Sequence, residues 1–266
     1  MAFRENIERI PIINHKFSYI FLVGLFLFLL RTPFLGRLGV GEQAIMISHC
    51  IFLLFSVTIG FKEIAPYYNK STGIWRIMTM TMTIFICSFI VENIIGNLLN
   101  AHDPQQLDQY TFDLSWRYTM VSFARYSLVG IGEEIFKFMF FLILYFMIFK
   151  GCKHCLISFI ISTLLTSLMF GYLHINYNLD QWLNITLIIA GSAMVYFYFL
   201  VKYQTIIPLM LAHGLQDFLV SMELTSELDG IYPVSILCMF ILVVGIPMLK
   251  NGFYGIQYWL HRLVTK

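Results

Sequence analysis

GIGEEIFKFMF, residues 130–140, sets two adjacent glutamates and a lysine among Ile, Phe and Met side chains. From residue 127 to residue 149 the only ionisable side chains are Glu133, Glu134, Lys137 and Tyr145. An apolar run of this length predicts a helix in a nonpolar environment, since about 20 such residues span a bilayer. Charged groups in hydrocarbon are costly, so they must either hold helices together or carry out chemistry.

The composition of the whole chain supports a membrane environment. Of its 266 residues, 59% are hydrophobic and 12% are charged, and the mean hydropathy is +0.76. A soluble domain has about 25% charged residues. The formal net charge of +2 comes without a basic cluster, which argues against a nucleic-acid partner. The bilayer is therefore the predicted surrounding of this protein.

Apolar runs separated by charged or turn-rich breaks predict an all-α, polytopic fold with about eight transmembrane helices. No repeat or linker divides the chain, so residues 1–266 are predicted to form one membrane domain, with a catalytic core at about 119–222. The predicted spans are 17–36, 42–61, 75–99, 119–149, 155–175, 183–201, 204–222 and 231–249.

The distribution of Lys and Arg predicts the orientation. With the N-terminus inside, the inner segments hold 12 basic residues and the outer loops hold three. Basic residues collect on the cytoplasmic side of short loops. The chain is thus predicted to be a multi-pass protein of the cell membrane with both termini in the cytoplasm.

Ionisable side chains at membrane depth mark the candidate functional site, because they normally face a protein interior or a water-filled cavity. Apart from Glu92 on the third predicted span, the candidates fall on the fourth, fifth and seventh predicted spans, and we predict a catalytic role for these. The candidate catalytic residues are Glu133, Glu134, Lys137, His174, His213 and Asp217.

Helical spacing groups these residues further, since positions three or four apart share a face. Lys137 can neutralise Glu133 or Glu134. Asp217 can accept a hydrogen bond from His213 and fix which imidazole nitrogen is free. Glu92, on the third predicted span, has no ionisable partner at this spacing. We interpret Glu92 as making an interhelical hydrogen bond, with Asn93 or Asn97 nearby, and as lying outside the site.

Two histidines and a glutamate from three helices permit two kinds of hydrolytic site. Glu133, His174 and His213 could hold zinc, with Glu134 as the base on a bound water. Alternatively, a carboxylate and a histidine activate water directly, and His213 with Asp217 stabilises the oxyanion. The sequence leaves both open. A lone C-x-x-C at Cys152 and Cys155 is weak evidence for zinc or redox chemistry.

Three short motifs resemble those of the CAAX-processing and bacteriocin-processing superfamily of intramembrane proteases, the CPBP or Abi family. Its pattern is a double glutamate with a basic residue downstream, then F-x-x-x-H, then H-x-x-x-N or H-x-x-x-D, on separate helices. The corresponding segments, in the same order, are EEIFK at 133–137, FGYLH at 170–174 and HGLQD at 213–217.

The resemblance implies an intramembrane endopeptidase acting on a membrane-bound or exported peptide or protein. It implies that Glu133 and His174 activate water with support from Glu134, and that His213 and Asp217 bind metal or stabilise the oxyanion. The commonest family form is E-E-x-x-x-R, whereas this chain has Lys137 and then Phe138. The lysine and the closing aspartate are more similar to the branch of site-1 proteases that cleave anti-sigma factors.

Two other functions compete with proteolysis. Some relatives of this kind are scaffolds or immunity proteins against bacteriocins, and these would keep the polar core for packing alone. A proton- or ion-coupled transporter would also place ionisable groups at depth. The chain shows no internal symmetry of the kind common in transporters. The complete set of acids and histidines favours the protease.

Overall fold

The computed structural model describes residues 2–10, 73–101, 116–174 and 179–225. Within these ranges the regular secondary structure is helical, and no strand is present. A short 3₁₀ turn, Leu179–Gln181, precedes the fifth helix. The helices are α1 (Ala2–Glu8), α2 (Ile74–Leu98), α3 (Trp116–Cys152), α4 (Cys155–Tyr172), α5 (Trp182–Tyr203) and α6 (Ile207–Thr225).

Helices α2 to α5 are each long and apolar enough to cross a membrane, in α3 over Thr119–Cys152. The apolar part of α6, Ile207–Val220, is shorter than the other four. The all-α membrane fold predicted from the sequence is confirmed. The predicted spans 17–36, 42–61 and 231–249 lie outside the described residues, so the total of eight stays a prediction.

Helix α3 is the longest helix of the described bundle. Its 37 residues would extend roughly 55 Å at the rise of an α-helix. Four aromatic side chains at helical spacing stack along one side of it, with successive ring centroids 5.9, 5.9 and 6.0 Å apart. They are Phe138, Phe141, Tyr145 and Phe149. This row fixes the face that α3 presents to the core.

The five long helices pack in a ring in the order α3, α4, α5, α2 and α6. Helix α3 packs against α4 and α6, while α2 packs against α5 and α6, and α4 against α5. Large apolar side chains remain exposed on the outside of the bundle, for example Trp75, Leu98 and Met147. Lipid chains would cover such side chains, and this is why the outer faces need no polar residues.

Helices α3 and α6 touch through their backbones. A Cβ atom built on Gly130 would lie 2.3 Å from the backbone nitrogen of Gly214. Close contacts of this kind between small residues are common in membrane bundles, where packing drives helix association. Helices α4 and α5 meet in the same way, since a Cβ on Gly171 would lie 2.2 Å from the carbonyl oxygen of Thr186.

Substituting Gly130 with alanine is expected to destabilise the protein by about 3 kcal/mol or more, at or above the usual upper range for overpacking. The new methyl group meets backbone, which cannot move aside without separating α3 from α6. Gly151→Ala on the same helix is the matched control, since nothing lies within 4 Å of its added Cβ. Thermal denaturation in detergent measures both variants. Equal melting temperatures for Gly130→Ala and the wild type would contradict the close contact.

The short helix α1 docks where α3 ends and α4 begins. Asn6 donates a hydrogen bond to the carbonyl oxygen of Val201, 3.0 Å away, near the end of α5. Phe3 packs edge-to-face on Phe159 of α4 at 6.0 Å. The segment 2–10 therefore lies at one end of the bundle. The α3–α4 connector with Lys153 and the α5–α6 connector with Gln204 lie at the same end. The side of the membrane that this end faces stays a prediction from the basic residues.

Candidate active site

The double glutamate and the lysine occupy one turn of α3 and face the interior. Glu133, Glu134 and Lys137 are only 1%, 1% and 2% exposed. Lys137 forms its salt bridge with Glu134, three residues before it, so the structure selects one of the two pairings that the sequence allowed. The Lys137 ammonium lies 4.6 Å from the ring centre of Phe170 and 4.4 Å from that of Tyr196. The positive charge is thus enclosed by a carboxylate and two aromatic faces.

His174 lies just beyond the end of α4. The sequence predicted a span reaching residue 175, but the helix ends at Tyr172, and the His174 backbone N–H donates to the carbonyl oxygen of Gly171 at 3.0 Å. This tighter turn directs the imidazole into the bundle, where it is 8% exposed. Its ring packs beside that of Phe170, with centroids 4.6 Å apart, as the sequence spacing suggested.

The tautomer of His174 follows from its backbone contact. Its Nδ1 atom lies 2.7 Å from the carbonyl oxygen of Phe170. A carbonyl oxygen can only accept, so Nδ1 must carry the hydrogen, and in the neutral ring Nε2 is an acceptor. That Nε2 atom lies 3.5 Å from Oε2 of Glu133. The side chains of Glu133 and His174 thus bring two acceptor atoms close together.

His213 joins α6 to the glutamates of α3. Its Nδ1 atom donates to Oε1 of Glu134 at 2.8 Å. Its Nε2 atom lies 3.8 Å from Oε2 of Glu133 and 3.7 Å from Oδ2 of Asp217. Asp217 is the most exposed of these side chains, at 23%. The six residues singled out from the sequence therefore form one connected cluster drawn from α3, α6 and the end of α4.

Two acceptors that face each other can share a water molecule. A carboxylate oxygen and an unprotonated imidazole nitrogen cannot hydrogen bond to each other, but a water has two hydrogens and can donate to both. The lone pairs of that water then remain available to attack a carbonyl carbon. Glu133 and His174 are thus arranged to hold and deprotonate a nucleophilic water.

The same atoms include donors suited to zinc. Carboxylate and imidazole are donors that zinc uses, and the proposed ligands Glu133, His174 and His213 do converge. Among residues 2–10, 73–101, 116–174 and 179–225, however, no three His, Cys, Asp or Glu side chains are arranged so that they could hold a metal ion. As these side chains lie, they do not form a metal centre. Zinc stays a prediction from the sequence.

Glu92 has a different partner from the one predicted. The Gln216 amide on α6 donates to both carboxylate oxygens of Glu92, each at 2.7 Å. Asn93 instead donates to the carbonyl oxygen of Phe89 in its own helix, at 2.8 Å. The prediction of an interhelical hydrogen bond by Glu92 is confirmed, but the partner named for it was wrong. Gln216 is adjacent to Asp217, so Glu92 borders the site.

Sequence reasoning missed two further side chains at the site. Tyr196 packs on Lys137, and its ring lies 6.0 Å from that of His213, yet it sits in an apolar, aromatic run with no distinguishing spacing. Gln216 had a signal, because it is a polar residue between His213 and Asp217 on an otherwise apolar helix. A search restricted to ionisable groups does not find it, because an amide is neutral.

Comparison with known families bears directly on this cluster. Residues 115–219 match the family model described as type II CAAX prenyl endopeptidase Rce1-like. This range contains all six candidate catalytic residues, and the match confirms the resemblance to the CPBP proteases. No curated protein and no solved structure shows a significant match to the chain.

Proposed function

From the similarity of residues 115–219 to the Rce1-like endopeptidases, we propose that the protein is an intramembrane endopeptidase of the cell membrane. Its substrate would be a membrane-bound or exported peptide or protein. The observation that carries this proposal is the pair formed by Glu133 Oε2 and His174 Nε2, two acceptors 3.5 Å apart in a buried site. Hydrolysis needs a water held at such a place, whereas a scaffold has no use for it.

In the proposed reaction Glu133 is the general base. A water donates hydrogen bonds to Glu133 and His174, gives one proton to the Glu133 carboxylate, and attacks the carbonyl carbon of the scissile peptide bond. The carbonyl oxygen becomes an oxyanion. When the tetrahedral intermediate collapses, the C–N bond breaks and Glu133 returns the proton to the leaving nitrogen. The products are a carboxylic acid and an amine.

His213 is proposed to stabilise the oxyanion. Glu134 accepts the Nδ1 hydrogen of His213 and so fixes the ring, while Lys137 fixes Glu134. When Nε2 also carries a hydrogen, it can donate to the oxyanion, and Asp217 lies 3.7 Å away to balance the imidazolium charge. Loss of one such donor typically lowers kcat by about 10²–10³-fold.

The experiment that tests the function compares peptides released by cells carrying the wild type or His174→Ala. His154→Ala is the matched control, because His154 is exposed and caps the first turn of α4. Mass spectrometry should show specific peptides that disappear with His174→Ala and persist with His154→Ala, at equal protein levels. These peptides would identify the substrate. Identical peptides from all three strains would favour the immunity or scaffold function.

Removal of metal tests the zinc prediction separately. If Glu133, His174 and His213 hold zinc, cleavage by purified protein should stop on dialysis against a strong zinc chelator and return with added zinc. The measurement is the cleavage rate before and after dialysis, with zinc analysis of the sample. A rate unchanged in zinc-free protein would instead support direct activation of water by Glu133 and His174.

The substrate need not be prenylated. The name of the matching family refers to CAAX prenyl endopeptidases, but this chain has Lys137 in place of the downstream arginine and ends its third motif with Asp217. These departures support a membrane-anchored protein substrate of the kind cleaved by the site-1 branch. The released peptides described above test this directly, since a prenylated fragment carries the added mass of its lipid.

A further inference from the structure

The side chain of Gln216 is surrounded by partners from two other helices. Its amide nitrogen donates to both oxygens of Glu92 on α2, and its amide oxygen lies 3.2 Å from the hydroxyl of Ser88 and 3.3 Å from that of Tyr196. The carboxylate can only accept, so the amide nitrogen must face Glu92 and the amide oxygen must face the hydroxyls. One neutral side chain on α6 therefore connects α2, α5 and α6.

These contacts lead directly into the active site. Gln216 lies three residues after His213 on α6, and Tyr196 packs on both His213 and Lys137. The Tyr196 ring centre is 4.4 Å from the Lys137 ammonium. A shift of Gln216 would therefore move the imidazole, through the turn of helix that they share, and the ring that covers the lysine.

Glu92 has no place in the proposed reaction, yet a carboxylate at membrane depth is costly unless it is paired. Its two hydrogen bonds from Gln216 are short, at 2.7 Å each, and they join α2 to α6. A purely structural link between α2 and α6 could be made by apolar packing or by glycines. An acid and an amide beside His213 form directional hydrogen bonds, which indicates that the orientation of this part of α6 matters.

We propose that Glu92 and Gln216 form a positioning pair, which sets the placement of His213 and Tyr196 in the active site and so supports turnover. This inference rests on the proposed protease function. Glu92 and Gln216 are positioning residues, not catalytic ones, since they act through other side chains. Misplacement of a catalytic group by about 1 Å can cost about 10²-fold in rate.

The decisive experiment exchanges the two residues. Gln216→Glu sets two carboxylates against each other and should lower kcat by about 10–100-fold. Glu92→Gln with Gln216→Glu in one chain restores an amide facing a carboxylate, and the new carboxylate can still accept from Ser88 and Tyr196. The exchanged pair should regain at least about tenfold in kcat over Gln216→Glu alone, since the coupling in such a cycle belongs to the pair.

Gln216→Asn guards against failure of the charged variant to fold. It adds no charge, but its shorter side chain cannot span the gap to Glu92. The unpaired Glu92 should lower the melting temperature, so cleavage is measured well below the melting transition, where the variant is fully folded. There we expect a lower kcat with KM unchanged, which a loss of folded protein cannot explain. Asn93→Ala is the matched control. Asn93 is exposed next to Glu92, and its side chain donates a hydrogen bond to Phe89 in its own helix.

Two results would overturn the inference. One is a wild-type kcat in Gln216→Asn, and the other is an exchanged pair that folds but cleaves no faster than Gln216→Glu. Glu133→Gln is measured in the same assay to separate this inference from the proposed function. Equal cleavage by the wild type and Glu133→Gln refutes the protease itself. Loss of cleavage in Glu133→Gln together with full activity in Gln216→Asn refutes only the positioning pair.

Discussion

Replacing Glu133 with glutamine is expected to lower kcat by about a thousandfold, within the range for general acid–base catalysis. Glutamine has the shape of glutamate and can still hydrogen bond to a water, but it cannot take the proton. KM and protein level should stay near those of the wild type. The measurement is the steady-state rate of cleavage of the identified substrate by purified protein in detergent.

Glu5→Gln on α1 is the control for loss of a glutamate, because Glu5 is exposed at the far end of the bundle from His174. Its kcat should match the wild type. If Glu133→Gln retains more than about a tenth of the wild-type kcat, Glu133 is not the base, since such a role is worth at least about 10²-fold. The water would then have to be activated elsewhere.

Replacing Glu134 with leucine is expected to destabilise the protein by about 3–5 kcal/mol, the usual effect of breaking a buried ion pair on one side. Lys137 would keep its charge at 2% exposure with only aromatic faces around it, and His213 would lose the acceptor of its Nδ1 hydrogen. Chemical denaturation in detergent measures the change in free energy of unfolding.

The matched variant is Glu134→Leu with Lys137→Leu, which removes both charges. Replacement of a whole buried pair by apolar residues is often neutral, so most of the lost stability should return. Cleavage should not return, because His213 still lacks its acceptor. A double variant as unstable as Glu134→Leu would show that the salt bridge to Lys137 is not what makes Glu134 important for folding.

The parts of this protein that could be predicted from sequence are those that depend on local spacing. Apolar runs fixed the helices α2 to α5 to within a few residues, because a membrane helix must satisfy its own backbone. Contacts within one helix, such as Glu134 with Lys137 and His213 with Asp217, follow from a spacing of three or four residues. Five of the six candidate residues lie on the predicted helices, and His174 lies just beyond the end of its helix.

Contacts between helices could not be predicted in this way. His213 uses its Nδ1 atom to pair with Glu134 and not with Asp217, and this depends on how α6 is rotated against α3. That rotation is set by the backbone contact between Gly130 and Gly214, which no pattern within one helix reveals. The same limit explains why Gln216 was not assigned to Glu92, since the two are 124 residues apart in the chain.

The contact of Gly130 with Gly214 has a consequence for engineering. Gly130 is one turn before Glu133, and Gly214 directly follows His213. The close contact between α3 and α6 therefore lies beside the reactive groups of both helices. Attempts to make a more robust version of this protein should therefore leave that turn untouched. Exposed apolar positions such as Met147 and Leu98 offer more freedom for redesign, because these side chains lie outside the buried cluster of reactive groups.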